Sequence, residues 1–244
     1  MSVAWTEIRG DAGSGMLLIG DHASNHVPDD IDLGVPPGML EEHVAIDIGV
    51  ADLARALCAA LDCQGILGGV SRLVIDFNRE EDAPGLIPAV SDGREIPGNK
   101  GLSAAQWEQR LARYWRPYHQ KIGHIISAVR PKMLISLHSF TPRLKTDAGE
   151  RPWQIGILYN QDDRAARIAL PLLDRAGIVA GDNLPYSGKV LNATMNRHGE
   201  ANAIPYLGIE VRQDLISDVP GVARWCDALT PVVRAVRDRL ADHD

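Results

Sequence analysis

Polar side chains end several apolar runs of this sequence, at positions where a buried strand does not need them. The run MLLIGDHASN ends in His22 and Asn25, and the run MLISLHS carries His138. The run YLGIEVR places Glu210 and Arg212 among apolar residues. Two histidines and a third ligand, with one position left open for water, are typical of a catalytic zinc ion. These residue types therefore indicate a metal site that is built from several strands.

The remaining polar residues suggest how such a site would act on a substrate. A strand-borne carboxylate such as Glu210 could serve as the general base that takes a proton from water. Guanidinium groups could bind a substrate carboxylate through two hydrogen bonds or stabilise a developing oxyanion. The candidates for that role are Arg72, Arg79 and Arg212. The combination favours hydrolysis of a small anionic substrate.

The elements that must position these residues are short apolar strands alternating with longer helices. The strands are nearly continuous in Ile, Leu and Val, which is typical of strands that are covered on both faces. We predict strands at 16–22, 65–69, 72–78, 132–139, 153–160 and 206–212, and helices at 40–61, 103–129, 163–176 and 222–241. The alternation predicts a three-layer α/β/α sandwich with a mixed, largely parallel central sheet. Ligands of such sheets bind outside the carboxyl ends of the strands.

Local signals refine two of these predictions. Ser103 and Gln106 form an S-x-x-Q capping box at the start of the second helix, and Pro117 should kink or interrupt that helix. Residues 80–102 contain three prolines and four glycines and have no periodicity. A loop of this length is either a lid or substrate loop, or a surface excursion.

Composition restricts the class of protein. The chain has 244 residues, of which 45% are hydrophobic, and a formal net charge of -7. We expect one domain over 1–244, no affinity for nucleic acid and no membrane association. The sequence shows no secretory signal pattern, and its three cysteines do not make a disulfide framework, so we expect a cytoplasmic protein with free thiols.

Six short motifs, in order, resemble the N-formylglutamate amidohydrolase family. They are GDHASNHVP (20–28), EEHVAIDIG (41–49), SRLVIDFNR (71–79), LHSFTP (137–142), DNLPYSG (182–188) and IEVRQDL (209–215). That family is related to the zinc carboxypeptidases and to the aspartoacylase and succinylglutamate desuccinylase group. The resemblance implies a zinc-exopeptidase-like (phosphorylase/hydrolase-like) fold. It also implies hydrolysis of an N-acyl amino acid, such as N-formyl-L-glutamate, by metal-activated water, with Zn²⁺ as the expected metal.

The resemblance also implies a role for individual residues. His22 and His138 correspond to the two metal-binding histidines, and Glu210 corresponds to the general base. Asn78 and Arg79 correspond to the pair that holds the substrate carboxylate and polarises the scissile carbonyl. By this resemblance we expect Arg79 and Glu210 to be the catalytic residues. We also expect the substrate to be a small N-acyl amino acid.

The third metal ligand departs from the family pattern. The relatives have H-x-x-E, with Glu as a ligand, whereas this chain has Asn25 at that position. An amide oxygen binds zinc more weakly than a carboxylate does. Asn25 is therefore a weak third ligand, or Asp21 or Asp47 replaces it, or the chain has lost the metal.

Further polar residues and functions complete the set of hypotheses. His43 and Asp47, four residues apart in a predicted helix, could orient a ligand or form a solvated pair. His198 could bind substrate or donate a proton, and Tyr186 could place a phenol near the substrate. Two other functions remain compatible with the sequence. One is a zinc carboxypeptidase or another N-acyl-amino-acid deacylase, and the other is a non-catalytic small-molecule binding protein without metal.

Overall fold

A seven-stranded mixed sheet forms the centre of the computed structural model, which describes residues 3–146, 149 and 151–241. The strands are β1 (Trp5–Ile8), β2 (Met16–Gly20), β3 (Gln64–Gly68), β4 (Val90–Ser91), β5 (Arg94–Glu95), β6 (Met133–Phe140), β7 (Ile155–Leu158), β8 (Ala180–Asp182) and β9 (Tyr206–Arg212). The helices are α1 (Val50–Leu61), α2 (Ala104–Arg110), α3 (Arg116–Val129), α4 (Arg164–Arg175), α5 (Ala193–His198) and α6 (Val219–Ala241). The order in the large sheet is β1-β3-β2-β6-β9-β7-β8, and β4 and β5 form a separate hairpin.

The centre of the sheet is parallel and its flanks are antiparallel. Strand β2 runs parallel to β3 and β6, and β6 runs parallel to β9. Strand β1 is antiparallel to β3, and β7 is antiparallel to β9. The central strands β2, β6 and β9 therefore end at the same edge of the sheet, because neighbouring parallel strands point the same way.

Both faces of the sheet are covered, which explains the continuous apolar runs. In β2, Met16 and Leu18 pack into the core beneath α1, α4 and α6, whereas Leu17 and Ile19 pack into the core beneath α3. Since side chains alternate across a strand, a strand that is buried on both faces needs apolar residues at every position. The predicted three-layer α/β/α sandwich is confirmed. Among the described residues, no helix is both long and apolar enough to cross a bilayer.

The predicted strand at 72–78 is wrong, because these residues form consecutive turns. The run is apolar because it is buried: Leu73, Val74, Ile75 and Phe77 fill the core on the α3 side of the sheet. Its backbone groups are satisfied within the turn and by side chains, for example by the Val74 N–H donating to the Ser71 carbonyl at 2.8 Å. We call residues 71–79 the site turn. A short apolar run does not distinguish a buried strand from a buried turn.

The predicted helix at 40–61 is correct only in its second half. Helix α1 begins at Val50, after Gly49 has adopted a left-handed φ of 81°. Residues 40 and 41 end a 3-10 helix, and residues 42–49 form turns and irregular backbone. His43 and Asp47 therefore do not lie on one face of a helix, contrary to the prediction from the sequence. The Asp47 backbone N–H donates instead to the carbonyl of His22 at 3.0 Å, which brings this turn to the end of β2.

The capping box of Ser103 and Gln106 is present at the start of α2. A π-helical segment at Leu111–Trp115 separates α2 from α3 just before Pro117, where the sequence predicted an interruption. The loop 80–102 contains the β4–β5 hairpin. The edge strands β1 and β8 and the short helix α5 were not predicted.

Candidate active site

The end of the parallel core brings three of the sequence-predicted residues together. His22 lies two residues after β2, and His138 lies in β6. Glu210 of β9 is the direct register partner of His138. All three line one cavity of about 260 Å³. Their convergence follows from the parallel order β2-β6-β9, which places these strand ends side by side.

A buried carboxylate joins the two histidines. Ligand atoms of His22, Asp47 and His138 all lie within 4.8 Å of one another. Asp47 Oδ2 is 2.8 Å from His138 Nδ1 and 3.3 Å from His22 Nδ1. Two imidazoles and one carboxylate form the donor set of a catalytic zinc site. Of the alternatives for a third ligand, Asp47 is the one that the structure brings to both histidines.

The opposite nitrogen of each imidazole faces another buried carboxylate. His22 Nε2 lies 2.7 Å from Asp76 Oδ1, and His138 Nε2 lies 3.5 Å from Asp21 Oδ2. The other oxygen of Asp21 accepts a hydrogen bond from the Tyr118 hydroxyl at 2.8 Å. Metal-binding histidines commonly donate their second ring N–H to a carboxylate, which orients the ring and makes it a better ligand. The residues therefore fit a metal held by the two Nδ1 atoms and Asp47.

Arg72 neutralises the two carboxylates nearest to His22. Its Nη1 donates to Asp47 Oδ1 and its Nη2 donates to Asp76 Oδ2, each at 3.1 Å. Burial alone would raise the pKa of both carboxyl groups, but His22 and Arg72 hold each pKa well below its usual range. Both carboxylates therefore stay ionised at neutral pH. Arg72 lines the cavity as predicted, although two of its nitrogens are already engaged by the protein.

Glu210 is in the environment that a general base requires. Burial raises its pKa to about 7, although the positive charge of neighbouring His138 opposes this increase. A base with a pKa close to the working pH is both available in its ionised form and strong enough to take a proton. The geometry therefore suits Glu210 for proton transfer beside the cluster of His22, Asp47 and His138.

Asn78 and Arg79 project from the end of the site turn into the same cavity. Asn78 is held by its N–H, which donates to Asp76 Oδ1 at 2.9 Å, and by its Oδ1, which accepts from the Thr194 N–H at 3.1 Å. The Arg79 side chain is 37% exposed and approaches Asp76 only to 3.7 Å. Arg79 is thus the cavity-lining cation best placed to bind a ligand carboxylate.

Tyr186 also lines the cavity and lies close to Glu210. Its hydroxyl accepts a hydrogen bond from Arg151 Nη1 at 3.0 Å, and the Arg151 guanidinium lies over its ring. The sequence did not indicate Arg151. The phenol is therefore held in a fixed position beside the reacting groups.

Three predicted site residues lie elsewhere, and in the described chain none of them lines this cavity. Asn25 donates to Glu41 at 2.8 Å. Arg212 binds Asp214 at 2.8 Å. His198 Nε2 lies 3.0 Å from the buried imidazole of His119. Each has a local partner, so the structure does not bring them to the histidine cluster.

Sequence reasoning assigned no role to two carboxylates with clear structural roles. Asp76 stands in the apolar run LVIDF, and a charged residue inside a buried run is itself a signal of a partner. Asp92, in the β4–β5 turn, faces His43 Nε2 at 3.0 Å and accepts the N–H groups of Lys145 and Thr146. His43 thus pairs with Asp92 rather than with Asp47. The hairpin of loop 80–102 forms one wall of the cavity.

Comparison with known proteins shows the same fold and a matching family. No functionally curated protein is significantly similar in sequence to this chain. The gene product Atu2144 from Agrobacterium tumefaciens is 28% identical, with a TM-score of 0.91 over 98% of this chain and 96% of that one. The N-formylglutamate amidohydrolase from Ralstonia eutropha JMP134 is 20% identical, with a TM-score of 0.78 over 99% of this chain and 100% of that one.

The family assignment rests on a match to a family model. Residues 14–217 match the model of the N-formylglutamate amidohydrolase family, and this segment contains all the cavity residues discussed above. The match supports an amidohydrolase, an enzyme that cleaves amide bonds, over a purely binding protein. The chain belongs to the N-formylglutamate amidohydrolase family.

Proposed function

We propose that this amidohydrolase cleaves the amide bond of a small N-acyl amino acid, N-formyl-L-glutamate, with a divalent metal, Zn²⁺, as its cofactor. The observation that carries the proposal is the cluster of His22, Asp47 and His138 beside Glu210 at the base of one cavity. The metal, when bound by these three residues, would polarise the scissile carbonyl and increase the acidity of a water molecule.

Glu210 carries the protons of the proposed reaction. Its carboxylate accepts a proton from the attacking water as the water oxygen bonds to the carbonyl carbon. The protonated carboxyl group then delivers that proton to the amide nitrogen as the C–N bond breaks. Its pKa of about 7 supports both steps, because neither the acid nor the base form is too scarce at neutral pH.

Arg79 and Asn78 bind and orient the substrate in this proposal. The guanidinium of Arg79 can form two parallel hydrogen bonds with a substrate carboxylate, and its partial exposure leaves it free to do so. The Asn78 side chain is fixed by Thr194, so it offers its amide group at a defined position. Tyr186 also lines the cavity and provides a further hydroxyl.

A small recess next to the catalytic groups supports a short acyl group. It has a volume of about 10 Å³ and shares Asn78, His138, Leu191 and Glu210 with the main cavity. Leu158 is among its other walls. A space of this size holds about one water molecule. A formyl group, the smallest acyl group, would therefore need the least displacement of the walls, whereas an acetyl or longer acyl group would need more.

The test compares the Glu210→Gln variant with a matched control, Glu108→Gln, on an exposed helix surface. Hydrolysis of N-formyl-L-glutamate should fall at least about 100-fold in the first variant, the usual contribution of a general base, and stay at the wild-type rate in the second. Wild-type protein purified without chelator should contain about one equivalent of metal. Wild-type activity in Glu210→Gln would refute the role of Glu210.

A substrate panel separates this function from the related ones. N-acetyl and N-succinyl amino acids and dipeptides should be poorer substrates than N-formyl-L-glutamate. Preference for a dipeptide would instead support a carboxypeptidase, and preference for a larger acyl group would support another N-acyl-amino-acid deacylase.

A further inference from the structure

A second cavity adjoins the site turn and shares no lining residue with the catalytic cavity among the described residues. Its volume is about 120 Å³, and its walls come from α2, the π-helical segment and two loops. Arg110, the last residue of α2, lines it although the side chain is only 6% exposed. A guanidinium that is buried to this extent normally has an anionic partner.

Arg110 uses only one of its three nitrogens for contacts with the protein. Nη1 donates to the Val74 carbonyl at 2.9 Å and to Asn99 Oδ1 at 2.7 Å. Nε and Nη2 form no hydrogen bond with the described residues, and neither is sealed from solvent. No carboxylate in the described chain forms a salt bridge with Arg110. The Nε–Nη2 edge, which is the edge that binds carboxylates with two parallel bonds, is therefore free.

The other charged groups around this cavity do not take the place of that partner. Asp30 is paired with Arg113 at the rim. Asp32 is exposed, and its Oδ1 accepts a hydrogen bond from the Gly34 N–H at 2.8 Å. Asp32 forms no salt bridge with Arg110 in the described chain. Although Asp30, Asp32 and Arg113 also line the cavity, the Nε–Nη2 edge of Arg110 thus has no anionic partner there.

Neutral residues lie beside that guanidinium. Gln106, Gln109 and Gly98 line the same cavity, and the Gly98 N–H already donates to the Leu33 carbonyl at 2.9 Å. Amide N–H groups hydrogen bond to carboxylate oxygens but do not neutralise them. The cavity therefore offers the free edge of Arg110 beside the amide side chains of Gln106 and Gln109, which is suited to a small anion of single charge.

We propose that the Arg110 cavity is a binding site for a small carboxylate, which pairs with the Nε–Nη2 edge of Arg110. This site is separate from the catalytic cavity and does not depend on the proposed reaction. It contacts the back of the site turn, because Arg110 holds the Val74 carbonyl and Asn99 holds the Leu73 carbonyl at 2.8 Å. A bound carboxylate would fix the guanidinium that supports this turn.

The test is an NMR titration of the full-length protein with sodium acetate, with sodium chloride at equal ionic strength as the reference. Signals of the Gly98 backbone amide and the Gln109 side-chain amide should shift to saturation with acetate in the millimolar range. Acetate could also bind Arg79, so the titration is repeated in Arg79→Ala. The shifts at Gly98 and Gln109 should persist in that variant.

Two variants locate the site. Arg110→Lys keeps the charge but removes the two-pronged donor edge, so acetate affinity at Gly98 should fall by about tenfold or more. Gln109→Glu changes an exposed residue and places a negative charge at the cavity, so it should weaken acetate binding by at least about fivefold through repulsion. Gln120→Glu, at an exposed position outside this cavity, is the matched control and should bind acetate as wild type does.

The proposal is overturned if acetate produces no saturable shift beyond that of chloride. It is also overturned if Gln109→Glu binds acetate with wild-type affinity, and this test remains available should Arg110→Lys fail to fold. Loss of the Gly98 and Gln109 shifts in Arg79→Ala would assign the binding to the catalytic cavity and would likewise overturn it.

Discussion

Replacement of Asp76 by Asn tests whether a carboxylate behind His22 tunes the metal site. The carboxylate faces His22 Nε2 at 2.7 Å, accepts the Asn78 N–H at 2.9 Å and accepts Arg72 Nη2 at 3.1 Å. Asn has nearly the same shape, so its Oδ1 can still accept from His22. The charge is lost, however, and an NH₂ group now faces the Arg72 donor.

The size of the effect follows from these contacts. Loss of the carboxylate partner of a metal-binding histidine typically reduces metal affinity by about 10- to 100-fold, which corresponds to about 1.4–2.7 kcal/mol. The unfolding free energy should also fall, by about 1–3 kcal/mol, because the Arg72 donor loses its acceptor. Arg72 keeps Asp47 as a partner and its side chain is 27% exposed, so the variant should still fold.

The assay is competition for Zn²⁺ with a chromophoric chelator, together with thermal unfolding of the metal-free protein. Asp182→Asn is the matched control, because Asp182 pairs with Arg167 at an exposed site away from the cluster. The control should have wild-type metal affinity. A folded Asp76→Asn protein whose Zn²⁺ affinity is within twofold of wild type would refute the role assigned to Asp76.

Three further predictions concern pH and specificity. The value of kcat/KM should fall about tenfold per pH unit below about 7, as protonation of Glu210 removes the base, and a flat profile from pH 5 to 8 would contradict this. Burial and mutual repulsion lower the pKa of His119 to about 3, and burial lowers that of His198 to about 4, so both stay neutral in the fold. Because they protonate at about 6.5 when unfolded, stability should decrease below that pH by up to about 1.4 kcal/mol per unit and per histidine, and urea unfolding of His198→Gln should show a weaker pH dependence than wild type. Leu191→Ala should raise the ratio of N-acetyl to N-formyl turnover by about tenfold or more by enlarging the recess, whereas the ratio should not change in the control Val190→Ala, whose side chain is 78% exposed.

The correct predictions came from patterns with one physical meaning. A strand buried on both faces is apolar throughout, so β2, β6 and β9 were visible in the sequence, and so were the polar residues at their ends. The site turn gave the same apolar signal for a different reason, since the turn is buried without being part of the sheet. A short apolar run indicates that a segment is buried. Only a periodic pattern over a longer segment indicates whether it is a helix or a strand.

The third metal ligand shows the same distinction at the level of one residue. The spacing from His22 pointed to Asn25, because the related H-x-x-E pattern places both ligands on one short segment. In this chain the carboxylate that contacts both histidines belongs to Asp47, which is 25 residues from His22 in sequence. A turn that bonds to the backbone of His22 brings it there. Local spacing cannot report a contact that is made by a neighbouring segment.

The sequence by itself determined the residue types of the chemistry and the class of fold. The histidines at two strand ends, the Asn-Arg pair and Glu210 were recognisable because each interrupts an apolar run at the edge of a predicted sheet. Only the tertiary structure decided which carboxylate contacts both histidines and which cavity-lining arginine keeps a partly exposed side chain. Those outcomes depend on strand order and on contacts between distant segments, and a charged side chain finds its partner through space, not along the chain.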